Sequence, residues 1–92
     1  MNESEIIKQI KEYLKTVKGC FFWKEHGGQF GTAGIPDLIV CLHGRFVAFE
    51  VKTATGKTTV LQALTIKRIQ AAGGMAAIVR SVAEARRVIE SL

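Results

Sequence analysis

Three side chains carry the chemistry that this sequence could do. Asp37 closes the stretch Gly34-Ile35-Pro36-Asp37, and Glu50 and Lys52 flank Val51 after the apolar run Phe46-Val47-Ala48-Phe49. Two carboxylates suit a hard divalent cation, because Mg²⁺ takes oxygen ligands and is held by one or two carboxylates with waters and substrate phosphate. The backbone carbonyl of Val51 could add a third protein oxygen. An ammonium beside such a cation can orient an attacking water or stabilise charge that builds on a phosphate. Each residue also has a plainer reading: Asp37 as a turn aspartate after proline, Glu50 with Lys52 as a solvated strand pair. Glu50 fits the plainer reading poorly. Both faces of the run before it are apolar, and a buried carboxylate is costly unless a charge or a metal pairs with it.

The elements that must position these groups follow from the pattern around them. Residues 37–42 and 46–52 are short apolar runs joined by His43-Gly44-Arg45, the signature of a β-hairpin. Strand side chains alternate faces, so Glu50 and Lys52 point the same way. The antiparallel partner of the second strand's end is the first strand's start, which brings Asp37 to both. Pro36 stands just before the strand, where its missing N–H is tolerated. His43 is expected to be a turn residue.

Before the hairpin, residues 4–17 repeat Ile6, Ile7, Ile10, Tyr13, Leu14 and Val17 at helical spacing, with Ser4 as a cap, acids at the start and Gly19 as a stop. Residues 20–24, Cys-Phe-Phe-Trp-Lys, read as a strand whose aromatics are expected mainly in the core. The glycine-rich stretch 25–34 reads as a mobile loop that overhangs the site. It lacks the Gly-Lys-Ser/Thr ending and following helix of a phosphate-binding P-loop. After Lys52 comes a polar connection, residues 53–58. A helix is expected over 59–72, ended by Gly73-Gly74, with Leu61, Leu64, Thr65, Arg68 and Ala72 along one direction and Gln62, Ile66 and Ile69 along the next. Met75–Val79 reads as a buried strand. Ser81 with Glu84 forms a capping box for a last helix. The order α-β-β-β-α-β-α, with a hairpin and then a helical crossover, predicts an α/β fold: a mixed β-sheet flanked by helices.

Composition sets the outer bounds. The chain has 92 residues, 48% of them hydrophobic, which suits one domain over residues 1–92 with a single packed core. Thirteen Lys and Arg against eight Asp and Glu leave a net charge of +5, which favours a polyanionic partner. Cys20 and Cys41 stand at no short metal spacing and read as buried free thiols in a reducing, cytoplasmic setting. No apolar stretch approaches the ~20 residues of a membrane span, and the polar, acidic N-terminus is unlike a signal peptide. His26 has no histidine or cysteine at ligand spacing and reads as a loop residue or phosphate contact. Lys24, Arg45, Lys57 and Lys67, with Lys8, Lys11, Lys15, Lys18 and Arg68, are candidates for contacts to backbone phosphates.

Taken in order, Gly34 to Asp37, Glu50-Val51-Lys52, Thr55-Gly56-Lys57, Gln62, Gly73-Gly74 and Val79-Arg80-Ser81 resemble the VRR-NUC domain of the PD-(D/E)xK nuclease superfamily. Ser81 follows Arg80 where the family's name calls for a second arginine. The resemblance implies a restriction-endonuclease-like core and a Mg²⁺- or Mn²⁺-dependent DNA endonuclease. Asp37 and Glu50 would be metal ligands and Lys52 the catalytic lysine, with Gln62 contacting Lys52, the phosphate or a metal-bound water. Glu5 would be an additional acid reaching the metal through water, with Glu3 as its rival. Members with appended domains act in DNA crosslink repair, whereas small stand-alone ones resemble Holliday junction resolvases of DNA recombination. The short chain fits the second kind. A resolvase makes two symmetric cuts, so one site per chain would require a C2 homodimer.

Overall fold

The computed structural model describes residues 1–26 and 31–92. Residues 27–30 lie outside the described residues, and with them the expectation that the glycine-rich loop overhangs the site. The elements are α1 (Glu3–Leu14), β1 (Cys20–Lys24), β2 (Leu38–Leu42), β3 (Arg45–Val51), α2 (Val60–Ala71), β4 (Met75–Val79) and α3 (Val82–Glu90). One four-stranded sheet runs in the order β1-β2-β3-β4. The β1–β2 and β2–β3 pairs are antiparallel, and β3–β4 is parallel. The α/β fold expected from the sequence, an αβββαβα restriction-endonuclease-like core, is the one observed. Among the described residues no helix is long and apolar enough to cross a membrane.

Alternation along the strands sorts the sheet into two faces. Leu38, Val40 and Leu42 of β2, Val47, Phe49 and Val51 of β3 and Val79 of β4 pack on one face. Against them lie Ile6, Ile7, Ile10 and Leu14 of α1 and Ala85 and Ile89 of α3. On the other face Ile39, Ala48 and Ala76 meet Ile66 of α2, with Ile35 and Ile69 beside them. The core on the α1 side is therefore broad, and that on the α2 side is narrow.

Several local expectations are corrected. Asn2, not Ser4, caps α1: its side chain accepts the Glu5 N–H at 2.9 Å while the Glu5 carboxylate accepts the Asn2 N–H, a reciprocal box that satisfies two orphan donors. The α1 helix stops at Leu14, and residues 15–19 turn to β1 through short backbone bonds such as Thr16 N–H to Tyr13 O at 2.9 Å. At α3, Ser81 caps as expected, but the Glu84 carboxylate accepts the Arg80 N–H at 2.8 Å rather than closing on Ser81. The buried direction of α2 is the one through Ile66 and Ile69, and Val60 stands 88% exposed with Leu61 and Leu64 also on the surface. Of the aromatics, Phe22 packs against the core, but Phe21 is 67% and Trp23 46% exposed, because α2 leaves the β1 end of its sheet face uncovered. Cys41 lies on that open face and is exposed, while Cys20 is half-buried, and both are free thiols.

Candidate active site

The hairpin register sets Leu38 opposite Phe49. Continuing that register by one residue sets Asp37 opposite Glu50, as the sequence pattern expects. The Asp37 side chain turns towards β3, where its Oδ2 accepts the Val51 N–H at 2.7 Å. The next residue back facing Val51 is Pro36, which has no N–H to give the Val51 carbonyl. Asp37 is held from the other side too, since its carbonyl accepts the Glu25 N–H at 2.8 Å. Gly34, three residues earlier, passes α2 so closely that a Cβ there would lie 2.7 Å from Leu61 Cγ and 2.9 Å from Thr65 Oγ1. Its φ of 81° is also a left-handed conformation that glycine adopts without cost.

Glu50 and Lys52 are the two charged residues buried among the described residues, at 3% and 8% exposure. The Lys52 ammonium lies 3.9 Å from Glu50 Oε2. Lys52 is fixed to the parallel neighbour by its N–H, which donates to the Val79 carbonyl at 3.0 Å. Burial pushes the Glu50 carboxyl from an ordinary 4.5 up to about 8. The hydrogen bond with Asp37 and the charge of Asp37 push the same way, Lys52 opposes them, and Glu3 adds a smaller upward push. Two carboxylates with a single ammonium leave a surplus of negative charge in a site shielded from water, and without a cation Glu50 relieves it by keeping its proton.

That electrostatic demand is the test of whether a metal fits. The donors are all oxygen: the Asp37 and Glu50 carboxylates and the Val51 carbonyl. Hard divalent cations such as Mg²⁺ or Mn²⁺ take this kind of set, and thiolate or imidazole sites do not resemble it. No cluster of three or more His, Cys, Asp or Glu side chains occurs among the described residues, so the set is a two-carboxylate one. Mg²⁺ is ordinarily held with so few, its remaining positions going to water and phosphate.

Not every residue expected at the site is brought there. Gln62 is the third residue of α2, and its Oε1 accepts the Thr59 N–H at 3.0 Å in a capping box. No hydrogen bond joins it to Lys52 among the described residues. Glu5 is occupied in the same way at α1. Of the two rival acids, Glu3 is the one whose charge reaches Glu50. The signal was present in the spacing: Glu3, Ile7, Ile10 and Leu14 fall on one helical stripe, the one pressed on the sheet, whereas Glu5 falls with Lys8 and Glu12 on the outside. Arg45 pairs with Leu42 beside the hairpin turn, about 17 Å along the strand from Glu50. Lys67 sits on the outer side of α2 with Val60, Ala63 and Leu64. Lys24, at the end of β1, is near the site, its ammonium donating to the Glu25 carbonyl at 3.3 Å. Lys57 belongs to the connection that leaves Lys52, and His26 is exposed at the end of the described β1 segment.

Arg80 has a role that its motif did not disclose. Its Nη1 donates to the carbonyls of Thr53 at 2.5 Å and Gly56 at 2.7 Å. One guanidinium nitrogen thus ties both ends of the turn that directly follows Lys52. Thr53 Oγ1 closes the same turn by accepting the Gly56 N–H at 3.0 Å. The arginine is a positioning residue for the exit from β3, and the motif's second basic position, here Ser81, is used as the α3 cap instead.

No protein-family model and no curated protein sequence matches the chain. Two solved structures do resemble it. One, described as a VRR_NUC domain, superposes with a TM-score of 0.78 at 28% identity, over 96% of this chain and 94% of its own. Another, described as a VRR_NUC domain protein, has a TM-score of 0.76 at 19% identity, over 98% of this chain and 86% of its own. The likeness of fold extends over nearly the whole chain, and the ordered motifs lie where that fold brings their acids and lysine together. The chain therefore resembles VRR-NUC domains over nearly its whole length and has the fold of a nuclease domain.

Proposed function

We propose that this protein is a Mg²⁺- or Mn²⁺-dependent, structure-selective DNA endonuclease, formed by residues 1–92 as a single nuclease domain. It would resolve four-way junctions as a homodimer. The observation that carries the nuclease reading is the meeting of Asp37 and Glu50, with Lys52 buried beside them at 3.9 Å from Glu50. A fold that only bound DNA would gain nothing from two juxtaposed carboxylates, which repel phosphate and cost folding energy when buried. The family likeness supports the same reading.

Asp37, Glu50 and the Val51 carbonyl would hold the cation. When bound, the cation polarises the scissile phosphate and makes a water a better nucleophile at neutral pH. The protein's own groups do the rest. Asp37 is aimed by its bond from the Val51 N–H, so its free carboxylate edge is fixed relative to Glu50. The Lys52 ammonium, with three donors and no acceptor, orients the water or a non-bridging phosphate oxygen and stabilises the charge that grows there. The sheet end keeps these groups dry enough for that charge stabilisation to count. Attack of water on phosphorus forms one P–O bond as the bond to the leaving sugar oxygen breaks; the water gives up its proton to solvent, and the leaving oxygen takes one from solvent water. Glu3 stands by as an outer acid. Gln62 contributes through the α2 terminus.

Two cuts at a junction need two such sites, and the open sheet face bearing Phe21 and Trp23 is available for a second copy. The test is incubation with end-labelled four-way junction, flap and linear duplex, with and without Mg²⁺. Symmetric nicks across the junction centre, metal-dependent and made by a species that sediments as a dimer, are expected. Preferential cutting of flaps would replace the junction reading with that of a flap nuclease. Binding without metal-dependent cleavage would overturn the enzyme reading.

A further inference from the structure

We infer that the flank of α1 facing β1 is a track for one phosphodiester backbone of duplex DNA, leading away from the site end of the sheet. Lys8, Lys11 and Lys15 recur at spacings of three and four on one stripe of α1, and Lys24 approaches them from β1. With Ser4, Ile7 and Glu12 they line one groove of about 390 Å³. Four ammoniums from two elements converging on one concavity repel each other, so the arrangement does not serve folding. Its single acid, Glu12, is taken by Lys15 at 3.3 Å. Lys8, Lys11 and Lys24 have no carboxylate partner among the described residues. Two of the arginines are differently employed: Arg86 pairs with Glu90 at 2.6 Å and lies over the Tyr13 ring, and Arg80 is turned inward.

The groove is joined to the site at one end by two short links. Ser4 follows Glu3, whose charge reaches Glu50, and Lys24 precedes Glu25, whose N–H holds the Asp37 carbonyl. From there the lysines recede along the helix. Ser4 to Lys15 spans about 16 Å at 1.5 Å per residue, or about five nucleotide steps of one strand at 3.4 Å each. Lysines bind phosphate as point charges and do not read bases. The track therefore sets where a backbone lies relative to Asp37 without imposing sequence. The identity of the polyanion rests on the endonuclease reading.

The experiment is the salt dependence of binding to a roughly 20-bp labelled duplex, followed by fluorescence anisotropy in EDTA between about 50 and 200 mM salt. The wild-type protein is compared with the triple variant Lys8→Ala/Lys11→Ala/Lys24→Ala and with Arg86→Ala/Arg87→Ala, which removes positive charge elsewhere. The track variant is expected to lower the slope of log K against log salt by about three, at about 0.9 per lost phosphate contact, and the control by less than about one. Equal losses in both variants, a wild-type slope in the track variant, or no duplex binding by the wild type would each overturn the track. Cleavage with Mg²⁺, measured separately, keeps the two readings apart. Duplex held by the track without cleavage removes the endonuclease and leaves the track. Cleavage by a protein whose track variant keeps the wild-type slope does the reverse.

Discussion

The β2–β3 hairpin ends in two opposite ways. At its turn, His43 and Gly44 both take positive φ, 50° and 81°, the pair of left-handed residues that suits the twist of a two-residue hairpin turn. Nothing lies within 4 Å of a Cβ built on Gly44, and Arg45 and Phe46 beside it are exposed. At its open end the same two strands bury Glu50 and Lys52 and press Asp37 against them. The turn end is locally satisfied and would form in any protein with this ladder. The open end has charged groups that only a distant partner can justify, since Glu50 keeps a proton near neutrality where an exposed glutamate would not. One ladder therefore supplies both register, fixed cheaply at the turn, and a strained electrostatic site at the far end. The difference separates what a residue does for stability from what it does for chemistry, and substitutions at the two ends should separate in the same way.

The largest effect is expected at the open end. Asp37→Asn or Lys52→Ala should lower metal-dependent cleavage by at least ~100-fold, the scale for removing one charge-stabilising group, while duplex binding in EDTA stays near wild type. Full activity in either variant would remove the site. Next comes Glu50→Gln, which exchanges function for stability. The folded carboxyl has its pKa raised from 4.5 to about 8, so the folded state holds the proton more tightly than the unfolded one. Glu50's contribution to metal-free stability is then fully present below about 4.5 and is lost as pH rises towards about 8. Melting curves in EDTA should show Glu50→Gln more stable than wild type at pH 8, by on the order of 10 °C, with the gap closing towards pH 4.5. A gap that widened towards acid would reverse the sign of the argument. The smallest effect is expected at the turn: Gly44→Ala should cost about 1 kcal/mol for the left-handed backbone and leave cleavage unchanged. Loss of cleavage there, in a protein still folded, would show that the two ends are not independent.

How much of this was legible in the sequence varies with the range of the interaction. The hairpin was readable because alternation and a glycine turn are local, and register then carries Asp37 to Glu50 without further information. The α1 stripe was readable for the same reason, but its cap was not: Asn2 and Ser4 are equally good capping types, and only the path of the chain before the helix chooses Asn2. Gln62 and Glu5 show a different limit. Both are the third residue of a helix, where a side chain can either reach back to the cap or reach out to the site, and the sequence is compatible with both. The exposure of Trp23 and Phe21 was not legible either. Whether an aromatic on a strand is covered depends on how far across the sheet α2 lies, and α2 covers the β4 side.

At the candidate site, the sequence by itself determined the ingredients and their pairing: two acids and a lysine, brought together by an antiparallel register that a proline starts and a glycine turn closes. Those are consequences of short-range periodicity and backbone geometry. Only the tertiary structure decided that Arg80 ties the turn after Lys52 and that burial drives the Glu50 carboxyl upward. Each of these depends on α1, β4 and the hairpin meeting at one end of a sheet, and the distances and dielectric there are set by packing between segments remote in the chain.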